Sequence, residues 1–192
     1  MNISRQDASE ALDAIQSADQ RVLQVRSYRH AAPFLILWGV IWAVANAASD
    51  ISNIAGRRAW LIGTVAGSLF TVWFIVRIIL ERRRAGDTEG RRRRTGSGFA
   101  LMGIATWLYF PAMYLVLGPL TARQGNAFAS LFWAFTYMFA GAWLGLRLFL
   151  TGLVAALAIT AGFLFVHQHY FLWMAVFGGG SLILGGLWLR KI

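Results

Sequence analysis

The feature that most constrains this chain is a series of apolar runs, each long enough to cross a bilayer. A spanning helix needs about 20 predominantly apolar residues. Inside the runs there is no Asp, Glu or Lys, and the two Arg residues lie near run ends. Lipid is therefore the expected solvent for most of the chain. We predict an all-α, polytopic membrane protein with six spans at 33–49, 59–80, 99–119, 126–147, 150–166 and 170–189.

Composition and charge agree with a membrane protein. The 192 residues are 58% hydrophobic and only 14% charged, and a soluble domain of this length could not bury so much apolar surface. The formal net charge of +10 by itself would favour a nucleic-acid partner. The arginines, however, crowd the ends of the apolar runs, which is typical of cytoplasmic loops. We therefore expect no nucleic-acid partner.

The fourth and fifth runs have no polar loop between them. As one helix, 126–166 would be about 60 Å long at 1.5 Å per residue, about twice the hydrocarbon thickness. The chain must turn, and we expect the turn between Arg147 and Gly152. A five-span interpretation stays open, but it would place Arg190 and Lys191 on the outer side.

The distribution of basic residues predicts the orientation. With the N-terminus inside a bacterial inner membrane, the outer side holds only Arg57, Arg58 and Arg123. The excess of Lys and Arg on the other side predicts that both termini are cytoplasmic. That side collects Arg5, Arg21, Arg26, Arg29, Arg82, Arg83, Arg84, Arg91, Arg92, Arg93, Arg94, Arg190 and Lys191.

Residues 1–30 differ in kind from the membrane domain, 31–192. Ser4 and Asp7 resemble a capping box, and acids precede arginines in the order that complements a helix dipole. This pattern predicts an amphipathic cytoplasmic helix with a bend near Ala31–Pro33. Two interpretations stay open: the helix docks a protein partner or a second copy, or it lies on the inner leaflet.

The loop 81–98 carries two arginine clusters beside a spanning segment. Such clusters attract anionic lipid head groups, at about 1 kcal/mol per residue near the surface. We therefore predict head-group contacts for Arg82, Arg83, Arg84, Arg91, Arg92, Arg93 and Arg94.

The first span predicts a polar outer mouth. Trp38, Trp42, Asn46 and Asp50 follow one another at steps of four, so they share one helix face that becomes polar toward the outside. Asp50 is expected to meet Arg57, Arg58 or Arg123, or else the two outer histidines. The candidate ligand-binding residues are Asn46, Asp50, Arg57, Arg58, His167 and His169.

The same residues are a thin ligand set for a metal, because two histidines and one Asp rarely suffice. No metal, no cofactor and no catalytic residue is predicted. The chain also contains no cysteine, which excludes thiol catalysis and Cys-ligated metal sites.

Glycines recur at helical spacing and predict close helix packing. Gly63 with Gly67 and Gly141 with Gly145 form two GxxxG patterns, which let helix backbones approach closely in lipid. The run Gly178–Gly180 has two interpretations. It marks a thinned or broken helix facing a cavity, or a close crossing of two helices.

The segment NAFASLFWAFTYMFAGAWLGLRLF and the tail HYFLWMAVFGGGSLILGGLWLRK resemble small six-span bacterial inner-membrane proteins that have no assigned activity. The resemblance covers nearly the whole chain. It implies the topology and no activity.

Three functions follow as hypotheses. The first is a membrane protein without a catalytic site that binds lipid or a partner, with 1–30 contacting the partner or a second copy. The second is a small oligomeric permease or channel for an uncharged solute, which requires a cavity lined by Asn46, Thr106, Tyr109 and the triple glycine. The third is a lipid-modifying enzyme, which requires outer His and Asp side chains within hydrogen-bond distance.

Overall fold

The computed structural model describes residues 5–84, 105 and 108–191 of the chain. Every regular element within these ranges is helical, which confirms the all-α prediction for this part of the chain. The helices are α1 (Arg5–Ile51), α2 (Asn53–Arg84), α3 (Leu108–Leu117), α4 (Ala122–Leu144), α5 (Leu146–Phe165) and α6 (Tyr170–Arg190).

Within the described ranges, five helical segments are long and apolar enough to cross a membrane. They are Tyr28–Ile51 of α1, Asn53–Glu81 of α2, and the whole of α4, α5 and α6. They match five of the six predicted runs. Of the sixth, 99–119, the residues 99–104, 106 and 107 lie outside the described ranges, and Leu108–Leu117 forms the short helix α3.

Helix α1 is longer than any predicted element. It is continuous over 47 residues, and Pro33 lies inside it. The position of the predicted bend, near Ala31–Pro33, therefore lies inside one continuous helix. Tyr28 and Leu35 are buried in one cluster with Leu189, so tertiary packing holds the helix before and after the hydrogen bond that Pro33 removes.

The turn between α4 and α5 lies at Gly145, not between Arg147 and Gly152 as expected. Gly145 has φ +130° and ψ 155°, a backbone conformation that favours glycine. Its N–H donates to the carbonyl oxygen of Gly141, which closes the last turn of α4. Arg147 therefore lies in the first turn of α5 and not in the turn itself.

The helices pack side by side in the order α2, α1, α6, α5, α4. Helix α3 joins the far edge, where the Tyr109 ring stacks on Phe132 with 4.4 Å between centroids. Gly63 and Gly67 place α2 against Ile41 and Trp38 of α1. This GxxxG pair therefore packs within one bundle.

The triple glycine lies where α6 crosses α1. Residues Met174–Gly179 form a π-helical segment within α6. A Cβ placed on Gly179 would lie 2.8 Å from the backbone nitrogen of Ala43 and 2.8 Å from the carbonyl oxygen of Gly39. Of the two predicted interpretations, the close crossing therefore describes Gly179.

Candidate functional site

A chain of buried hydrogen bonds links three helices at the end of the bundle where α1 ends. Asn46 of α1 is fully buried, and its Nδ2 donates to the Trp42 carbonyl oxygen at 2.9 Å. Asn126 Nδ2 of α4 donates to Asn46 Oδ1 at 2.9 Å. The Tyr170 hydroxyl of α6 donates to Asn126 Oδ1 at 3.2 Å. Buried polar groups need such partners, so these bonds specify how α1, α4 and α6 meet.

Arg123, in the first turn of α4, contacts the C-terminal end of the neighbouring helix α5. One guanidinium nitrogen donates to the carbonyl oxygen of Phe163, in the last turn of α5. The guanidinium carbon lies 5.0 Å from the ring centroids of both Phe163 and Tyr170. A cation at a helix C-terminus satisfies a free carbonyl and complements the helix dipole. Arg123 therefore caps α5 from a neighbouring helix.

Asp50, in the last turn of α1, contacts the N-terminal end of α6. Its Oδ1 accepts from the backbone N–H of Leu172 at 3.4 Å, and its Oδ2 lies 3.2 Å from Nδ1 of His169. His169 is the N-cap residue of α6 and forms no capping bond of its own. A carboxylate at a helix N-terminus fills this role and complements the positive end of the dipole. Asp50 therefore caps α6.

Arg123 and Asp50 thus contact the two helix ends that the short connection between α5 and α6 joins. The Asp50 carboxylate lies at the start of α6, and the Arg123 guanidinium lies at the end of α5. Each charge therefore complements the dipole of the helix end that it contacts. The polar cluster at this end of the bundle consists of Asn46, Asp50, Arg123, Asn126, His169 and Tyr170, and most of its polar groups bond to protein groups. Among the described buried atoms, Nε of Arg123 has no hydrogen-bond partner.

The predicted outer mouth is assembled in part. Asn46, Asp50 and His169 belong to this polar cluster. Arg57, Arg58 and His167 have exposed side chains, and Asp50 contacts His169 rather than either arginine. Three members of the cluster were not predicted as site residues, namely Arg123, Asn126 and Tyr170. The sequence did not single out Asn126, because an amide at the end of an apolar run can also bond to water.

Three of the predicted head-group arginines lie in the last turn of α2. Arg82, Arg83 and Arg84 end helix α2, but their side chains lie outside the described part of the structure, as do residues 91–94.

The Asp50–His169 pair meets the distance that the lipid-modifying hypothesis requires. Distance alone does not make a catalytic pair, because a general base must also lie beside a bound reactant. The His169 side chain is 70% exposed, and the carboxylate already accepts the Leu172 N–H. The evident role of the pair is to hold the start of α6. The described residues contain no cluster of three or more His, Asp or Glu suited to a metal.

Two apolar grooves lie on the flanks of the bundle. The larger, about 450 Å³, lies between α3 and α4 and includes Tyr109, while the second, about 310 Å³, lies between α5 and α6. Neither groove is lined by Asn46 or by Gly178–Gly180, and Thr106 lies outside the described residues. The permease hypothesis therefore gains no support from these grooves.

We expect Asp50→Ala to lower the free energy of unfolding by about 0.5–2 kcal/mol, the range for a lost helix cap. Asp50→Asn keeps an oxygen that accepts the Leu172 N–H and loses only the charge, so its loss should be about 0.3–1 kcal/mol. Thermal unfolding in detergent, followed by circular dichroism, measures the difference. Equal midpoints for wild type and Asp50→Ala would contradict the capping role.

We found no significant match to this chain among protein-family models, curated proteins or solved structures. The functional argument therefore rests on the chain's own geometry.

Proposed function

We propose that this chain is a multipass protein of a bacterial inner membrane, with both termini cytoplasmic, and that it acts by binding. Its first contact surface is the part of α1 that precedes the membrane span, and the partner is a second copy or another protein. Anionic lipid is a further ligand. The distribution of arginines along the sequence supports the orientation.

The length of α1 is the observation that supports this proposal. At 1.5 Å per residue, its 47 residues extend about 70 Å, whereas the hydrocarbon core is about 30 Å thick. The candidate span begins at Tyr28, so residues 5–27 extend about 35 Å beyond it as a continuation of the same helix. Leu12 and Val22 on this extension are apolar and well exposed. An exposed helix of this kind is suited to binding a partner helix.

Site-specific photo-crosslinking in intact membranes tests the extension. With the photoreactive residue at position 12 or 22, we expect one discrete adduct, at twice the chain mass if the partner is a second copy. A matched control at Leu61, an exposed apolar residue of α2 within the candidate span, should not give that adduct. Deleting residues 1–26, which spares the buried Tyr28, should also remove the partner. Absence of any adduct at both positions would contradict the proposal.

The orientation has a separate test, because the chain contains no native cysteine. A single cysteine at Ser52, between α1 and α2, should react with an impermeant maleimide added from outside. A single cysteine at Lys191 should react only after the membrane is opened. The reverse pattern would contradict cytoplasmic termini and would leave the crosslinking result unaffected.

A further inference from the structure

The groove between α5 and α6 lies at the end of the bundle opposite the polar cluster. It has a volume of about 310 Å³ and opens on the outer surface of the two helices. Val154 and Leu184 form its exposed rims. The other lining residues are Leu150, Thr151, Ser181, Gly185 and Trp188.

The groove is apolar although two hydroxyls line it. Thr151 Oγ1 donates to the Arg147 carbonyl oxygen at 2.9 Å, and Ser181 Oγ donates to the Gly178 carbonyl oxygen at 2.8 Å. Both hydroxyls are thus bonded to their own helices and present little polarity to a ligand. Gly185 keeps the helices close, because a Cβ there would lie 2.7 Å from Thr151 Oγ1. The groove therefore suits a hydrocarbon chain.

One end of the groove carries a positive charge. The Arg147 guanidinium carbon lies 5.2 Å from the ring centroid of Trp188, and one of its nitrogens donates to the Trp188 carbonyl oxygen at 3.3 Å. These contacts place the guanidinium against Trp188, which lines the groove, and occupy one of its five N–H donors. Among the described residues, the carboxylate of Glu81 pairs with Arg77 and not with Arg147. Arg190 and Lys191 are exposed just beyond Trp188.

We propose that this groove binds an anionic phospholipid, with part of an acyl chain between Val154 and Leu184 and the phosphate at Arg147. Basic pockets between membrane helices bind anionic head groups by this charge complementarity. From Ser181 to Trp188 the groove extends about 10 Å along α6, which fits within one leaflet of about 15 Å. The inference rests on the membrane embedding of the proposed function and not on the partner contact of α1.

Quenching by brominated lipids tests the site on the full chain. Leu184→Cys introduces the only cysteine, and a bimane attached there reports contact with brominated acyl chains. Val72→Cys is the matched control: its side chain is exposed on α2 and does not line the groove. Each labelled protein is reconstituted in vesicles that contain a minor fraction of brominated phosphatidylglycerol or brominated phosphatidylcholine.

At Leu184→Cys we expect phosphatidylglycerol to be favoured over phosphatidylcholine about fivefold, the effect of one basic group on an anionic lipid. At Val72→Cys, the added change Arg147→Gln should leave the ratio of quenching by the two lipids unchanged, because Val72 does not line the groove. Arg147→Gln should abolish the preference, and Arg147→Lys, which retains the charge, should preserve it. Equal quenching at Leu184→Cys, or a preference that survives Arg147→Gln, would overturn the proposal. No quenching at either position would instead contradict the membrane embedding.

Discussion

Gly179→Ala is expected to lower the unfolding midpoint markedly, whereas Gly180→Ala should leave it unchanged or raise it. A Cβ at Gly179 would press on backbone atoms of Ala43 and Gly39, which cannot rotate away as a side chain can. Overpacking of this kind costs about 1–3 kcal/mol. A Cβ at Gly180 would meet nothing within 4 Å. At that position alanine should stabilise the helix by about 0.5–1 kcal/mol, because glycine is the poorer helix former.

Each of the two glycine variants adds one methyl group, and the two positions are adjacent in the chain. Each variant is therefore the control for the other. Thermal unfolding in detergent, followed by circular dichroism, gives both midpoints under identical conditions. Gly39→Ala, on the opposite side of the crossing, should behave like Gly179→Ala because its Cβ would lie 2.9 Å from the Gly179 carbonyl oxygen. If Gly179→Ala were as stable as Gly180→Ala, the close crossing of α1 and α6 would be wrong.

The second large effect is expected from Asn126→Leu. The change leaves Asn46 Oδ1 without its donor and the Tyr170 hydroxyl without its acceptor. Each buried polar group left unpaired costs about 1–3 kcal/mol, so the expected loss is at least about 2 kcal/mol. Tyr170→Phe removes one hydroxyl and leaves Asn126 its bond to Asn46, so about 1 kcal/mol should be lost.

Thr136→Ala is the matched control for Asn126→Leu. Thr136 also lies on α4, but its hydroxyl donates within the helix, to the Phe132 carbonyl oxygen at 2.8 Å. No other helix loses a partner in this variant, so its stability should change little. A double-mutant cycle between Asn46→Ala and Asn126→Ala isolates the bond between them. A coupling energy near zero would contradict the buried network, since bonds between membrane helices average about 0.6 kcal/mol.

The spanning helices were the most predictable part of this protein. A run such as 170–189 has the length that a helix needs to cross a bilayer, and the structure places a helix at Tyr170–Arg190. The turn after α4 was harder to place. Gly141 and Gly145 match a GxxxG pattern, but Gly145 ends α4 with a positive φ, whereas Gly141 packs against the backbone of Phe149 in α5. A spacing of four residues cannot separate these two roles.

The polar cluster was predictable within one helix and not between helices. Steps of four placed Asn46 and Asp50 on one face of α1, as the helical repeat requires. The sequence also predicted His169 as one of several possible partners of Asp50. It could not indicate that Asn126 and Tyr170 complete the buried bonds, because those side chains are 80 and 44 residues from their partners along the chain.

The sequence by itself determined the solvent and the element type, because apolar runs of bilayer length with no acidic residue inside them satisfy their backbone only as helices. Only the tertiary structure decided which helices are neighbours. That order makes Asp50 a cap for α6 and Arg123 a cap for α5, and it leaves Arg147 beside an apolar groove. The physical reason is that lipid solvates every apolar helix face equally well, so apolar burial does not favour one pair of helices over another. Neighbours are therefore selected by close glycine contacts and by a few buried hydrogen bonds between residues distant in the chain.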